Sequence, residues 1–196
     1  MEKYRKIKQK GMSMGKKTIG TNGLAICLTG NGKGKTSAAL GMVMRALAHK
    51  KKVLFVQFIK GTRSGEITFL SSFRKAVVIR QFGAGFCRNT GDEQDHAVHK
   101  RCAAEGLAFV KQVLVYEENK YDIIVLDEIN LTFKLRLLTV KAVMNVLDLK
   151  PRSMHIVLTG RYAPRAIQEK CDLVSEVREI KHPFKQGVRA QAIIEF

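Results

Sequence analysis

The chain is short of several things that would place it quickly. Among its 196 residues there are four cysteines, Cys27, Cys87, Cys102 and Cys171, and no two are spaced as a CxxC redox motif or a zinc site would need. No apolar run approaches the roughly 20 residues of a membrane helix, and the first, Leu24 to Leu28, is far too short. The basic N-terminus is followed by no apolar segment, so it does not read as a secretory signal. A cytoplasmic protein with reduced cysteines is the expectation. Acids are also scarce: 35 Lys and Arg stand against 17 Asp and Glu, a net charge of +18. Such a field attracts anions, whether nucleic acid, acidic membrane surfaces or polyphosphate ligands. Few aromatics interleave with the scattered cations, and neither an RNP-type strand nor a helix-turn-helix signature is present, which argues against a dedicated nucleic-acid groove.

What is present reads as one α/β domain. The hydrophobic fraction of 45% is ordinary for a globular chain of this length. Residues 1–23 form a basic arm, helical or disordered, and residues 24–196 the domain proper. Short apolar runs at 24–29, 53–59, 77–81, 123–126, 154–158 and 173–177 read as strands. Helical patterns fall between them, at 35–49, 92–118 and 137–147, with a short helix from Pro164. This alternation predicts βαβ units and a mostly parallel sheet covered on both faces. Ligands of such a sheet bind beyond the carboxyl ends of its strands.

The chemistry gathers at those ends. The first strand runs into Gly30-Asn31-Gly32-Lys33-Gly34-Lys35-Thr36-Ser37, which opens a helix. Glycines let backbone N–H groups approach phosphate oxygens, and the helix presents its positive end. Lys35 supplies a mobile cation and Thr36 a hydroxyl for Mg²⁺. The usual loop, G-x-x-x-x-G-K-[ST], would begin at Thr29; counted from Gly30, three residues precede Gly34, one fewer than usual. Val125-Leu126-Asp127-Glu128 is an apolar strand closing on two acids, which can hold Mg²⁺ directly or through water. His96 and His99 read as a solvated pair on a basic helix, and Lys181-His182-Pro183 as a turn.

Further segments sharpen the reading: Val56-Gln57-Phe58-Ile59-Lys60-Gly61, Gly65-Glu66, Gly83-Ala84-Gly85-Phe86, Asp127-Glu128-Ile129-Asn130, Thr159-Gly160-Arg161 and Lys181-His182-Pro183-Phe184. In this order, and with the shortened loop, residues 24–196 resemble the ATP:corrinoid adenosyltransferases. The resemblance implies a P-loop, RecA-like fold, a homodimer, and ATP as co-substrate with Mg²⁺ or Mn²⁺. It implies that Co(I) of a corrinoid attacks the 5′ carbon of ATP and that triphosphate leaves. A protein reductant such as a flavodoxin would generate the Co(I). Lys35 and Thr36 would carry catalysis, residues 30–37 would bind ATP, and Thr36, Asp127 and Glu128 would hold the metal. Phe58, Lys60, Glu66, Phe86, Arg88 and Arg161 would face the corrinoid, and the arm would close over a partner's site.

The chain departs from that pattern at one site position. The family commonly carries an aromatic, often Trp, two residues after the Phe of Gly-x-Gly-Phe; here Arg88 follows Phe86-Cys87 and the chain has no Trp. Those aromatics are expected to cover the lower face of the corrin and ease reduction to Co(I), while Arg88 offers only its guanidinium plane. Ile193 also stands where Gly is usual. The competing readings are a RecA-like P-loop ATPase or nucleic-acid-binding module, supported by the charge, and a nucleotide- and corrinoid-binding carrier without activity.

Overall fold

A computed structural model of the chain describes residues 22–59, 64–83, 93–117, 119–191 and 193–194. In chain order the elements are β1 (Ala25–Thr29), α1 (Lys35–Ala48), β2 (Val53–Gln57), α2 (Gly65–Leu70), β3 (Val77–Gln81), α3 (Glu93–Tyr116), β4 (Ile123–Asp127), α4 (Ile129–Lys134), α5 (Val140–Leu147), β5 (His155–Thr159), α6 (Arg165–Lys170) and β6 (Leu173–Glu176). The strands form one sheet in the order β3-β2-β4-β5-β1-β6, and every pairing is parallel.

Strands β1, β2 and β4 are buried at every position, as strands covered on both faces must be. Alternate side chains feed two cores. Ile124 and Leu126 of β4 join Leu54, Val56 and Leu158 on the face covered by α3, α5 and α6. Ile123 and Val125 join Val53, Phe55, Val157 and the α1 residues Ala39 and Val43 on the other. That period of two decides where each strand's last side chain points. Asp127, Gln57, Gln81 and Thr159 continue the α1 face.

The strands lie where the apolar runs predict them, with ends shifted by a residue or two. Two short helices, α2 and α4, have no counterpart in the sequence reading, because one and a half turns leave no measurable periodicity. Helix α5 starts at Val140 rather than at Leu137, because Thr139 caps it, accepting from Ala142 N at 3.2 Å. His99 is buried at 3% exposure with Nε2 3.3 Å from Asp95 Oδ1, which corrects the solvated reading. Cys27 and Cys171 meet although far apart in sequence: both thiols are free, and the hydrogen bond between them draws Cys27 below the usual thiol range and pushes Cys171 up. His182 does sit in a turn, where its Nδ1 accepts from Phe184 N at 3.1 Å and caps the 3-10 segment Pro183–Gln186. Among the described residues no helix is long and apolar enough to cross a membrane.

Candidate functional site

A cleft of about 500 Å³ opens at the carboxyl ends of β1, β4 and β5, within the size range of small-molecule sites. Its floor is the Gly32–Ser37 stretch; Glu66, Glu128 and Arg161 border it. Each comes from a connection leaving a strand end, as expected for this architecture.

The loop glycines do different jobs. Gly30 has φ +97°, and a Cβ there would lie 2.4 Å from Val177 O. Gly32 N donates to Val177 O at 2.7 Å, and a Cβ on Gly32 would come within 2.8 Å of Arg178. These two therefore let the loop pack against the chain leaving β6. Gly34, at φ +103°, is the one of the three whose missing Cβ would point into open space. The general expectation that the loop glycines clear a path to phosphate thus fits Gly34 best, while close packing accounts for Gly30 and Gly32. Asn31 and Lys33 are exposed along the loop, and Ser37 is exposed in the first turn of α1.

Lys35 is 6% exposed, and its ammonium folds back onto Gly32 O at 2.5 Å. Burial holds it below the ordinary lysine value, and Arg161 and Lys33 act in the same sense; Glu128 and Asp127 oppose them. Thr36 donates its hydroxyl proton to Asp127 Oδ1 at 2.9 Å. The same oxygen accepts from Thr159 Oγ1 at 2.8 Å, and Asp127 Oδ2 accepts from Gln57 Nε2 at 2.9 Å. Thr159 Oγ1 in turn accepts from Glu128 N at 2.9 Å. Asp127 has no solvent exposure, whereas Glu128 is half-buried beside the cleft in a left-handed conformation, φ 60°. A non-glycine held there is a strained residue at a site, and the Thr159 bond to its N–H helps to hold it.

Of the residues expected to face a second substrate, Glu66 and Arg161 border the cleft. Phe58 does not: it is 1% exposed within the core on the α3 side, because strand parity turns it away from the α1 face. Lys60, Phe86, Arg88 and residues 1–21 of the basic arm lie outside the described residues. Two residues that the sequence reading did not assign to the site are Gln57 and Thr159. The signal was available: each is a polar residue closing an apolar strand at the same end as Asp127.

A parallel sheet with a glycine loop, a lysine and a hydroxyl at the start of α1, and an acid closing a nearby strand defines a P-loop nucleotide-binding protein of RecA-like fold. Solved structures of that fold superpose on it: a KaiC-like protein of Pyrococcus horikoshii (TM-score 0.51, 17% identity, 82% of this chain and 75% of that one) and the flagellar accessory protein FlaH of Methanocaldococcus jannaschii (TM-score 0.50, 14% identity, 79% and 71%).

The sequence comparisons are more specific. The family described as ATP:corrinoid adenosyltransferase BtuR/CobO/CobP matches residues 21–196. Corrinoid adenosyltransferases of Pseudomonas aeruginosa (39% identical, 89% of this chain and 84% of that protein) and Escherichia coli K12 (34%, 100% and 96%) are similar over nearly their whole lengths. That of Salmonella typhimurium is 36% identical over 89% and 86%. The chain belongs to this family, a family of enzymes that transfer the adenosyl group of ATP to a corrinoid.

Proposed function

We propose that the cleft holds the triphosphate of ATP, with Mg²⁺ or Mn²⁺, and leaves the 5′ carbon of the ribose open to Co(I) of the corrinoid. The cobalt electron pair forms the Co–C bond, the C5′–O bond breaks, and its pair leaves with triphosphate. A strong metal nucleophile needs no protein base. The chain's work is then to align the reactants and neutralise charge gathering on the leaving group. Lys33 and Lys35 line the cleft as cations for that purpose.

The observation that carries this reading is the Thr36–Asp127 hydrogen bond. By accepting the hydroxyl's hydrogen bond, Asp127 leaves the Thr36 oxygen lone pairs turned toward a cation. Thr36 and Glu128 offer oxygen donors at the cleft, a set that fits a hard cation shared with phosphate oxygens. When bound, such an ion would offset the negative charge developing on triphosphate. Asp127, wholly buried, would act from behind Thr36. Lys60, Glu66, Phe86, Arg88 and Arg161 are the residues of the corrinoid side. A homodimer, a flavodoxin-like reductant and closure of the basic arm over a partner's site complete the proposal.

The test is to mix the protein with ATP, Mg²⁺ and chemically reduced cob(I)alamin and follow the spectrum to adenosylcobalamin. Lys35→Met should lose about 4 kcal/mol of transition-state stabilisation, the scale of one charge pair at about 4 Å near a protein surface, and so about a thousandfold in rate. Release of ADP and phosphate in place of triphosphate would instead support the ATPase reading, as would tight, salt-sensitive binding of single-stranded DNA.

A further inference from the structure

Three adjacent strands, β3, β2 and β4, end in register on side chains that bond to one another. Gln57 pairs with Gln81 on one side and with Asp127 on the other in the strand register. Gln81 Nε2 donates to Gln57 Oε1 at 2.8 Å, and Gln57 Nε2 donates to Asp127 Oδ2 at 2.9 Å. Gln57 has no solvent exposure, and its neighbours Phe55 and Val125 are core residues of the same face. An apolar side chain at 57 would serve the sheet better, since a buried amide costs free energy unless every bond is made.

What the amide supplies is direction. The Asp127 carboxylate accepts here from three protein donors, so Gln57 must turn its nitrogen toward it. Its carbonyl oxygen then has β3 as partner, where Gln81 donates. The charge of Asp127 thus orients Gln57, and Gln57 in turn fixes Asp127 Oδ2. Fixing Oδ2 leaves Oδ1 aimed at Thr36 and Thr159.

We infer that Gln57 is a positioning residue for adenosyl transfer: braced by Gln81, it holds the Asp127 carboxylate in the orientation that keeps the Thr36 oxygen available to the cation. The inference rests on the reading of Thr36 as a cation ligand. Gln57 has no solvent exposure and does not line the cleft, so it would act through Asp127. Hydrogen-bond partners of a metal ligand commonly govern metal affinity by 10- to 100-fold, and Gln57, one bond beyond such a partner, should act at or below the low end of that range.

The experiment measures Mn²⁺ binding to the protein–ATP complex by electron paramagnetic resonance of free Mn²⁺. ATP binding in chelator and the adenosylation rate across metal concentrations are measured beside it. Gln57→Leu should weaken Mn²⁺ binding by about fivefold to tenfold. Metal-free ATP affinity should stay within about twofold, and the rate should recover in large part at saturating metal. Gln81→Leu, at a half-buried position that can accept a leucine, should weaken Mn²⁺ binding about threefold, the scale of one modest hydrogen bond. The double variant should be no weaker than Gln57→Leu alone, because Gln81 reaches Asp127 through Gln57. Wild-type Mn²⁺ affinity in both folded single variants would overturn the inference, and so would additive effects in the double variant. A wild-type protein whose ATP complex binds no Mn²⁺ would instead overturn the reading of the site, and the inference with it.

Discussion

Replacing Thr159 by valine exchanges a hydroxyl for a methyl of nearly the same size, so little cavity arises. The hydroxyl is fully buried and makes two bonds, donating to Asp127 Oδ1 at 2.8 Å and accepting from Glu128 N at 2.9 Å. The first is charge-assisted and is worth about 1.5–3 kcal/mol; an orphaned N–H costs about 1–3 kcal/mol. The two share one oxygen and do not add fully, so a loss of about 2–4 kcal/mol is expected. For a domain of this size that lowers Tm by about 5–15 °C. Thr159→Ser keeps both bonds and should lose about 1 kcal/mol for its missing methyl group. Urea and thermal unfolding of the three proteins provide the assay. A valine variant within about 0.5 kcal/mol of wild type would refute the reasoning, since it would mean that neither bond is worth more than a bond to water.

Three further outcomes are expected. Gly30→Ala should abolish tight ATP binding and lower stability by more than about 1 kcal/mol, because φ is +97° and the new Cβ would lie 2.4 Å from Val177 O; calorimetric ATP titration and unfolding check it. As pH rises toward the lowered pKa of Lys35, ATP binding should take up protons through it: burial lowers its pKa in the free protein and bound triphosphate restores the charged form. Affinity should therefore be full below the free-protein pKa and decline as pH rises through it, and titration in buffers of different ionisation heat should show an uptake that Lys35→Met removes. Arg88→Trp should raise the rate when a protein reductant must generate Co(I), and leave the rate with chemically supplied Co(I) about unchanged; side-by-side rates decide it.

The sheet was legible because its strands are short apolar runs bounded by turn residues and separated by longer helical patterns, which length and flanking residues tell apart. Lys35, Thr36 and Asp127 were legible because each closes or opens an element next to a glycine turn or an apolar run. Helices α2 and α4 were not, being too short for their period to register. Phe58 shows the limit of reading a motif as a string: in Val-Gln-Phe-Ile-Lys-Gly, parity sends Gln57 to the α1 face and Phe58 to the opposite core. The distinct tasks of Gly30, Gly32 and Gly34 were invisible too, because they depend on Val177 and Arg178, brought beside the loop by a strand pairing across most of the chain.

That pairing also dictates an order of assembly during synthesis. The phosphate loop leaves β1, whose neighbours in the sheet are β5 and β6. Strands β2, β3 and β4 can pair with one another as soon as they are made, but β1 has no edge to join until residues 155–159 follow. A growing chain therefore carries its nucleotide loop from the start, unanchored, while most of the domain is translated. Messages cut short anywhere before β5 should yield products that keep the loop sequence yet bind no ATP. Nucleotide should accordingly act late in refolding, slowing the unfolding of the finished domain more than it speeds its formation.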